Sequence, residues 1–263
     1  MDETQASGGA GTAVPVVGIG ASAGGLEVFK TLLADLPADT GFAIVFIQHL
    51  DPTHRSMLTD ILTRATPMPV SEAAEGVAVE ANHVYVIPAN VDLTLGAGAL
   101  RLAPRTQSPG THMPIDGFLR SAAAECGSGA IGVVLSGTGA DGAAGVEAIK
   151  AAGGVTFAQD PATAKFGSMP QAAVATGCVD FVLPPEGIAA ELERIVEVEK
   201  CSFACLMITD VTRETSLLLC RGEARVLGAI SYPKREENLF EMIDVLSRKK
   251  QLLPYFVDLL KTL

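Results

Sequence analysis

The fold of this chain is decided by one stretch near its start, Val14-Pro15-Val16-Val17-Gly18-Ile19-Gly20-Ala21-Ser22-Ala23-Gly24-Gly25. An apolar run rich in β-branched residues stops at glycines, and a helical pattern follows from Leu26 to Leu36. This succession is typical of a buried strand, a tight turn and a helix. It predicts the opening unit of an α/β sheet.

The turn after this strand contains a candidate nucleophile. Ser22 lies within Gly20-Ala21-Ser22-Ala23-Gly24, which matches the pattern G-x-S-x-G. In that pattern small neighbours let the backbone bend sharply, so the serine hydroxyl stands clear of the sheet with helix N–H groups nearby. The pattern is weakly specific, because turns built from small residues are common after the first strand of α/β proteins.

A second hypothesis uses the same turn to bind a dinucleotide. Gly18-Ile19-Gly20-Ala21-Ser22-Ala23 matches G-x-G-x-x-A, a fingerprint that needs an acidic residue about twenty positions later, where the second strand ends. Here the second strand, 42–47, is followed by Gln48-His49. A histidine at that edge suits acid–base chemistry better than ribose binding. A non-catalytic phosphate- or nucleotide-binding module that uses the glycine-rich turns remains the alternative function.

Composition limits the class of protein. The chain has 263 residues, 48% of them hydrophobic, and contains no tryptophan, which predicts a largely aliphatic core in one large domain or a medium domain with a small one. Residues 1–13 are polar and glycine-rich, and no apolar run has the length of a membrane span. We therefore expect a disordered leader and no membrane insertion. Five cysteines, an odd number, favour reduced thiols in a cytoplasmic protein.

Charge divides the chain near Glu199. Residues 200–263 carry 10 Lys/Arg and 8 Asp/Glu, a balance of +2, whereas the whole chain has a formal net charge of −11. This asymmetry predicts two modules, 14–199 and 200–263, and excludes nucleic acid as a partner of the acidic first module.

Strand and helix patterns alternate through the first module and predict a doubly wound, mostly parallel α/β sheet of the Rossmann-like type. One hairpin is the antiparallel exception, since the strand patterns 92–95 and 99–102 flank the glycine turn Gly96-Ala97-Gly98. The tail is expected to be a small α+β unit.

Three polar side chains follow three of the predicted parallel strands, namely Ser22, His49 and Asp141. Because the carboxyl ends of parallel strands share one edge, these side chains can converge there. A serine nucleophile, a histidine base and an orienting carboxylate are the set that acyl transfer requires. Their order in the chain differs from the Ser…Asp…His order of α/β-hydrolases.

Simpler roles for the same residues stay open at this point. Asp141 precedes Gly142 and could cap the helix that follows it. His49 could be an ordinary loop histidine. The other histidines, His54, His83 and His112, lack metal-ligand spacing with His49, so we expect no metal site.

Several spaced motifs closely resemble the catalytic domain of the CheB-type chemotaxis methylesterases, in particular the version fused to a methyltransferase, over about residues 14–197. These motifs are the strand and turn through Gly25, Gln48-His49, His112-Met113-Pro114-Ile115-Asp116, Ser136-Gly137-Thr138-Gly139-Ala140-Asp141-Gly142 and Gly167-Ser168-Met169-Pro170. The resemblance implies hydrolysis of glutamate methyl esters on the cytoplasmic helices of methyl-accepting chemoreceptors, with glutamine deamidation as a second activity and no cofactor. A methyltransferase is a further expected partner.

By this resemblance, Ser22 is the nucleophile, His49 the base and Asp141 the orienting carboxylate. The turns that carry Ala23, Thr138 and Gly139 are expected to form the oxyanion side of the site. Two positions depart from the family pattern, because many members have threonine at position 23 and methionine at position 138. Since residues 1–13 are too few for a receiver domain, we expect no phosphorylation control of the usual kind.

The tail resembles the end of the C-terminal domain of manganese-dependent (family II) inorganic pyrophosphatases. The resemblance rests mainly on Ser247-Arg248-Lys249-Lys250-Gln251-Leu252-Leu253-Pro254 and implies that Arg248, Lys249 and Lys250 bind phosphate. Cations near the end of a solvated helix are an equally good interpretation of this run.

We predict that the chain hydrolyses no pyrophosphate. Such catalysis needs Asp and His ligands that hold divalent metals and activate water, and residues 200–263 contain no histidine. Phosphate release from pyrophosphate in the presence of Mn²⁺ should stay at background. Turnover that is present in the full chain and disappears in Lys249→Ala would contradict this prediction.

Overall fold

The structure, a computed structural model, describes residues 14–49, 57–105, 112–202, 207–211, 214–221 and 225–233. The chain divides into two compact units, residues 1–196 and 197–263. The predicted leader 1–13, His54 and the basic run Arg248-Lys249-Lys250 lie outside the described residues.

Parallel strands build the first unit, with one hairpin between them. The strands of this unit are β1 (Val16–Ala21), β2 (Ala43–Gln48), β3 (Val70–Glu72), β4 (His83–Val86), β5 (Val91–Gly96), β6 (Ala99–Pro104), β7 (Ala130–Val134), β8 (Val155–Gln159) and β9 (Phe181–Leu183). Seven of them form a sheet in the order β3-β4-β2-β1-β7-β8-β9, with every neighbouring pair parallel. Strands β5 and β6 pair antiparallel in a sheet of their own. The predicted α/β fold and its antiparallel hairpin are confirmed.

Helices cover both faces of the parallel sheet. They are α1 (Gly25–Asp35), α2 (Leu58–Leu62), α3 (Pro114–Cys126), α4 (Ala143–Ala151), α5 (Ser168–Ala175) and α6 (Pro185–Ser202). One buried cluster joins the sheet to α1 and α6 through Phe29 and Leu192, and a second joins it to α3 and α4 through Phe118 and Val146. None of the helices in the described ranges combines the length and the apolar character that crossing a membrane requires.

The second unit contains three described strands, β10 (Met207–Val211), β11 (Glu214–Arg221) and β12 (Arg225–Pro233). They form an antiparallel sheet in that order, with a register shift between Leu219 and Cys220. The helical part predicted for the tail lies outside the described residues.

The two central strands bring the first two candidate residues to one edge. Strands β1 and β2 are in register from Val16 opposite Ala43 to Ala21 opposite Gln48. Ser22 and His49 are the next residue on each strand. Because parallel neighbours lie about 4.8 Å apart, this register places the two residues side by side at the carboxyl edge.

Helix α3 lies directly on β1 because two strand residues have no side chain. A Cβ atom on Gly20 would come within 2.3 Å of Ile115 Cγ2, and one on Gly18 within 2.6 Å of Leu119 Cδ2. These glycines therefore serve the packing of a helix against a strand. Their close approach fixes the start of α3 beside the carboxyl edge of β1.

We predict that Gly20→Ala destabilises the first unit by about 1–3 kcal/mol, because the added methyl overpacks the contact with Ile115. Gly117→Ala is the matched control. Gly117 lies inside α3, and a methyl group added there would have nothing within 4 Å of it, so alanine should stabilise by about 0.5–1 kcal/mol. Urea unfolding of the two variants gives both values, and a Gly20→Ala variant as stable as the wild type would contradict the close approach.

Candidate active site

The turn that carries Ser22 is held by the loop after β7. The Ser22 N–H donates to the Ser136 carbonyl at 3.0 Å, and the Gly25 N–H donates to the Ser22 carbonyl at 3.1 Å. Gly24 has φ +74°, a left-handed conformation that favours glycine. A Cβ on Gly137 would lie 2.9 Å from Ser22 Cβ, so a glycine is required there for the two turns to meet.

Ser136 links three segments beneath this turn. Its hydroxyl donates to the Ala23 carbonyl at 2.9 Å and accepts from the Phe166 N–H at 3.1 Å. Its side chain is fully buried. The next residue, Gly137, donates its N–H to the Phe166 carbonyl and accepts from the Met169 N–H. The motif 167–170 is therefore tied to the turn that carries Ser22 through the loop after β7.

His49 and Asp141 are in direct contact. The His49 Nε2 lies 2.7 Å from Asp141 Oδ2, and Asp141 is only 1% exposed. An ionised carboxylate can only accept a hydrogen bond, so the Nε2 atom of His49 carries the proton. In the neutral imidazole, Nδ1 is then the atom with a free lone pair. The predicted histidine–carboxylate pair is present in the structure.

Ser22 is brought to the same edge but is not bonded to this pair. Its hydroxyl makes no hydrogen bond with any residue in the described part of the chain. Hydrogen bonds of catalytic groups are often long or poorly aligned without substrate and tighten when substrate binds. The Ser22–His49 contact therefore stays a prediction.

Asp141 also holds the start of α3. Its Oδ2 accepts from the Ile115 N–H at 3.1 Å, and its Oδ1 accepts from the Asp116 N–H at 2.9 Å. The alternative role suggested by the sequence, a cap on the helix after Asp141, is wrong. That helix is α4, whose N-cap residue is Gly142, and its first N–H groups make no hydrogen bond with Asp141. Asp141 caps α3 instead.

Asp116, which lies in the first turn of α3, in turn caps α4. Its Oδ1 accepts from the Gly142 N–H at 2.9 Å and from the Gly145 N–H at 2.7 Å. Helix α4 is thus capped by an aspartate of α3, and α3 by an aspartate that precedes α4. Both carboxylates lie at positive ends of helix dipoles. The sequence places Asp116 within a motif but indicates no role for it, because a cap is ordinarily sought beside its own helix.

The pKa of Asp116 is raised above its usual value. Burial is the largest cause, the N–H of Gly145 opposes it, and the negative charge of Asp141 raises the pKa further. The buried pair of aspartates therefore carries an electrostatic cost when both are ionised, which the helix N–H groups offset.

The candidate oxyanion groups differ in their hydrogen bonding. The N–H groups of Ala23 and Thr138 have no acceptor among the described residues. The Gly139 N–H donates to the Ser168 hydroxyl at 3.3 Å, in a backbone conformation with φ +93°. The first two N–H groups are therefore available to donate to a ligand, whereas the Gly139 N–H already has an acceptor.

A cleft of about 360 Å³ opens beside His49 and Thr138. Its remaining lining residues are Gln48, Ile87, Pro88, Asn90, Val91, Arg105, His112 and Pro114. His112 has its own carboxylate partner, since its Nε2 lies 2.6 Å from Asp92 Oδ1. Residues at the open end of the β5–β6 hairpin, namely Asn90, Val91 and Arg105, thus line the cleft, a feature that the sequence alone did not indicate.

Comparisons with known proteins agree with this fold. A family model described as CheB methylesterase matches residues 17–192. A solved structure of the CheB methylesterase catalytic domain of Thermotoga maritima matches with a TM-score of 0.64 at 29% sequence identity, covering 69% of this chain and 98% of that chain. A model described as DHHA2 domain matches residues 166–259, which bears out the resemblance stated for the tail.

Two curated relatives extend the comparison. A protein of Burkholderia pseudomallei named protein-glutamate methylesterase/protein-glutamine glutaminase 2 is 37% identical over 188 residues, covering 71% of this chain and 55% of the relative. An uncharacterised 104.1 kDa protein of Rhodobacter capsulatus is 46% identical over 131 residues, covering 50% of this chain and 14% of the relative. The chain thus matches about half of the first relative's length and a small part of the second's.

Replacing each of the two capping aspartates by asparagine should change the free energy of unfolding in opposite ways. In Asp116→Asn one amide oxygen can still accept both N–H groups that now bind Oδ1, so the free energy of unfolding at neutral pH should be kept or raised. In Asp141→Asn an NH₂ group must replace one of two accepting oxygens, so we expect a loss of about 1–3 kcal/mol. Urea unfolding at pH 7 measures both.

The difference in stability between Asp116→Asn and the wild type should depend on pH. Because the pKa of Asp116 is higher in the folded than in the unfolded chain, its contribution to stability is full below the ordinary value of 3.8 and is lost as pH rises through the folded value. Relative to the wild type, Asp116→Asn should therefore gain stability with increasing pH across that window. A constant difference between the two proteins would contradict the raised pKa.

Proposed function

The chain belongs to the CheB methylesterase family, and on that premise we propose that it is a serine esterase that removes methyl esters from glutamate side chains. The observation that carries the proposal is the 2.7 Å contact between His49 and Asp141, at the sheet edge where Ser22 follows the neighbouring strand. We assign the activity to residues 14–199, with 1–13 as a leader and 200–263 as a separate tail.

In the first half of the reaction, Ser22 Oγ attacks the ester carbonyl while His49 Nδ1 takes the hydroxyl proton. Asp141 keeps Nε2 protonated and stabilises the imidazolium that forms. The N–H groups of Ala23 and Thr138 donate to the oxyanion of the tetrahedral intermediate. When the intermediate collapses, the imidazolium returns the proton to the leaving methoxy group, which departs as methanol.

In the second half, water attacks the acyl–serine ester and His49 Nδ1 takes its proton. Collapse of the second intermediate returns that proton to Ser22 Oγ and leaves a glutamic acid side chain, which releases its remaining proton to solvent and becomes a carboxylate. The same steps applied to a glutamine amide release ammonia in place of methanol. Deamidation is therefore a second proposed activity, in keeping with the name of the Burkholderia pseudomallei relative.

The proposed substrates are glutamate methyl esters on the cytoplasmic helices of methyl-accepting chemoreceptors, with a methyltransferase as a functional partner and the cytoplasm as the place of action. Family membership supports this assignment. The alternative, a nucleotide-binding module, loses its basis because Gly18 and Gly20 make room for side chains of α3. A role of Arg248, Lys249 and Lys250 in binding phosphate stays a prediction.

Ser22→Ala should reduce ester hydrolysis by about 10³-fold or more, since members of such a triad act as a unit. The substitution lies in a partly exposed turn, so the fold should be kept. Ser128→Ala, at an exposed serine in the turn Gly127–Gly129, is the matched control and should hydrolyse at the wild-type rate.

Methanol release from receptor membranes that carry labelled methyl esters measures both variants. Circular dichroism on the same samples checks that Ser22→Ala is folded. A folded Ser22→Ala protein with a near-wild-type rate would refute the assignment of the nucleophile.

A further inference from the structure

The cleft beside His49 contains a permanent positive charge. The chain carries a formal net charge of −11, yet among the described residues that line the cleft there is neither aspartate nor glutamate. The ionisable residues that do line it are His49, Arg105 and His112. Of these three, Arg105 is the one that carries a permanent positive charge.

Each histidine of the cleft is already matched by a carboxylate. His49 is paired with Asp141 at 2.7 Å, and His112 with Asp92 at 2.6 Å. In each pair an ionised carboxylate offsets the charge that its histidine would carry on protonation, so neither pair makes the cleft positive. The positive charge among the described residues that line the cleft thus comes from the guanidinium of Arg105.

Arg105 has no carboxylate partner within the described residues. Its backbone N–H donates to the Asn90 carbonyl at 3.2 Å, which anchors the residue after the end of β6, and its side chain is partly buried. By contrast, Arg101, which lies within β6, pairs with Glu75 at 3.3 Å outside the cleft. A permanently charged, partly desolvated guanidinium without a partner is suited to a ligand that brings a carboxylate.

We propose that Arg105 binds a carboxylate of the substrate polypeptide while the neighbouring ester is hydrolysed, with His112 lining the same subsite. The inference rests on the proposed function, which places the reacting ester at Ser22 and His49. A methyl ester is uncharged, so the carboxylate must belong to another acidic residue of the substrate. Arg105 is thus a specificity-determining residue that favours esters within acidic segments.

The test compares two peptides that contain one glutamate γ-methyl ester. The flanking acidic residues are glutamate in the first peptide and glutamine in the second. For the wild type, we expect kcat/KM about tenfold higher on the acidic peptide, with a preference that shrinks as salt is added. Arg105→Gln should lower kcat/KM on the acidic peptide to the value for the neutral one and leave the neutral peptide unaffected. Arg101→Gln, the matched control, should behave as the wild type.

Two results would overturn the proposal: equal kcat/KM of the wild type on both peptides, or an equal loss on both peptides in Arg105→Gln. Binding of the same peptides to the full-length Ser22→Ala protein separates this failure from that of the esterase. Tighter binding of the acidic peptide that is lost on adding Arg105→Gln supports the subsite even if neither ester is hydrolysed. Hydrolysis without any binding preference would leave the esterase in place and refute the subsite.

Discussion

The carboxylate of Asp141 is the group on which the rest of the site depends. It accepts from the imidazole of His49 and from two N–H groups at the start of α3. The position of the histidine is thereby tied to the position of a helix. Asp116 in turn accepts from two N–H groups at the start of α4, the helix that follows Asp141. The carboxylate of Asp141 is therefore tied to the starts of both helices.

This arrangement requires α3 to lie unusually close to the central strand. Gly18 and Gly20 allow the approach, because a methyl group on either would collide with side chains of α3. The glycines that suggested a nucleotide fingerprint thus have a packing role, and they set the distance from the start of α3 to the carboxyl edge. The same few residues therefore govern both the packing of α3 on β1 and the electrostatics of the site.

The sequence predicted the elements whose signals are local. Hydrophobic periodicity and the glycine and proline residues that interrupt it predict three kinds of feature. These are the parallel strands, the glycine turn of the hairpin and the positions of Ser22 and His49 at strand ends. Contacts between distant segments that do not follow from the shared edge of parallel strands could not be predicted. Asp116 caps α4 and Asp141 caps α3, and these two helices begin 29 positions apart. The rule for helix caps considers only residues that neighbour the helix in the sequence. Arg105 belongs to a hairpin outside the main sheet, so no strand order predicted from the sequence places it beside His49.

The most direct measurement of the role of Asp141 is the tautomer of His49, read from the ¹⁵N chemical shifts of its ring at a pH where the imidazole is neutral. With Asp141 accepting from Nε2, we expect Nε2 to be protonated and Nδ1 to be the basic nitrogen, and we expect this preference to be lost in Asp141→Asn but kept in Asp116→Asn. A wild-type protein with the proton on Nδ1, or a tautomer that is unchanged in Asp141→Asn, would contradict the contact on which the proposed mechanism is built.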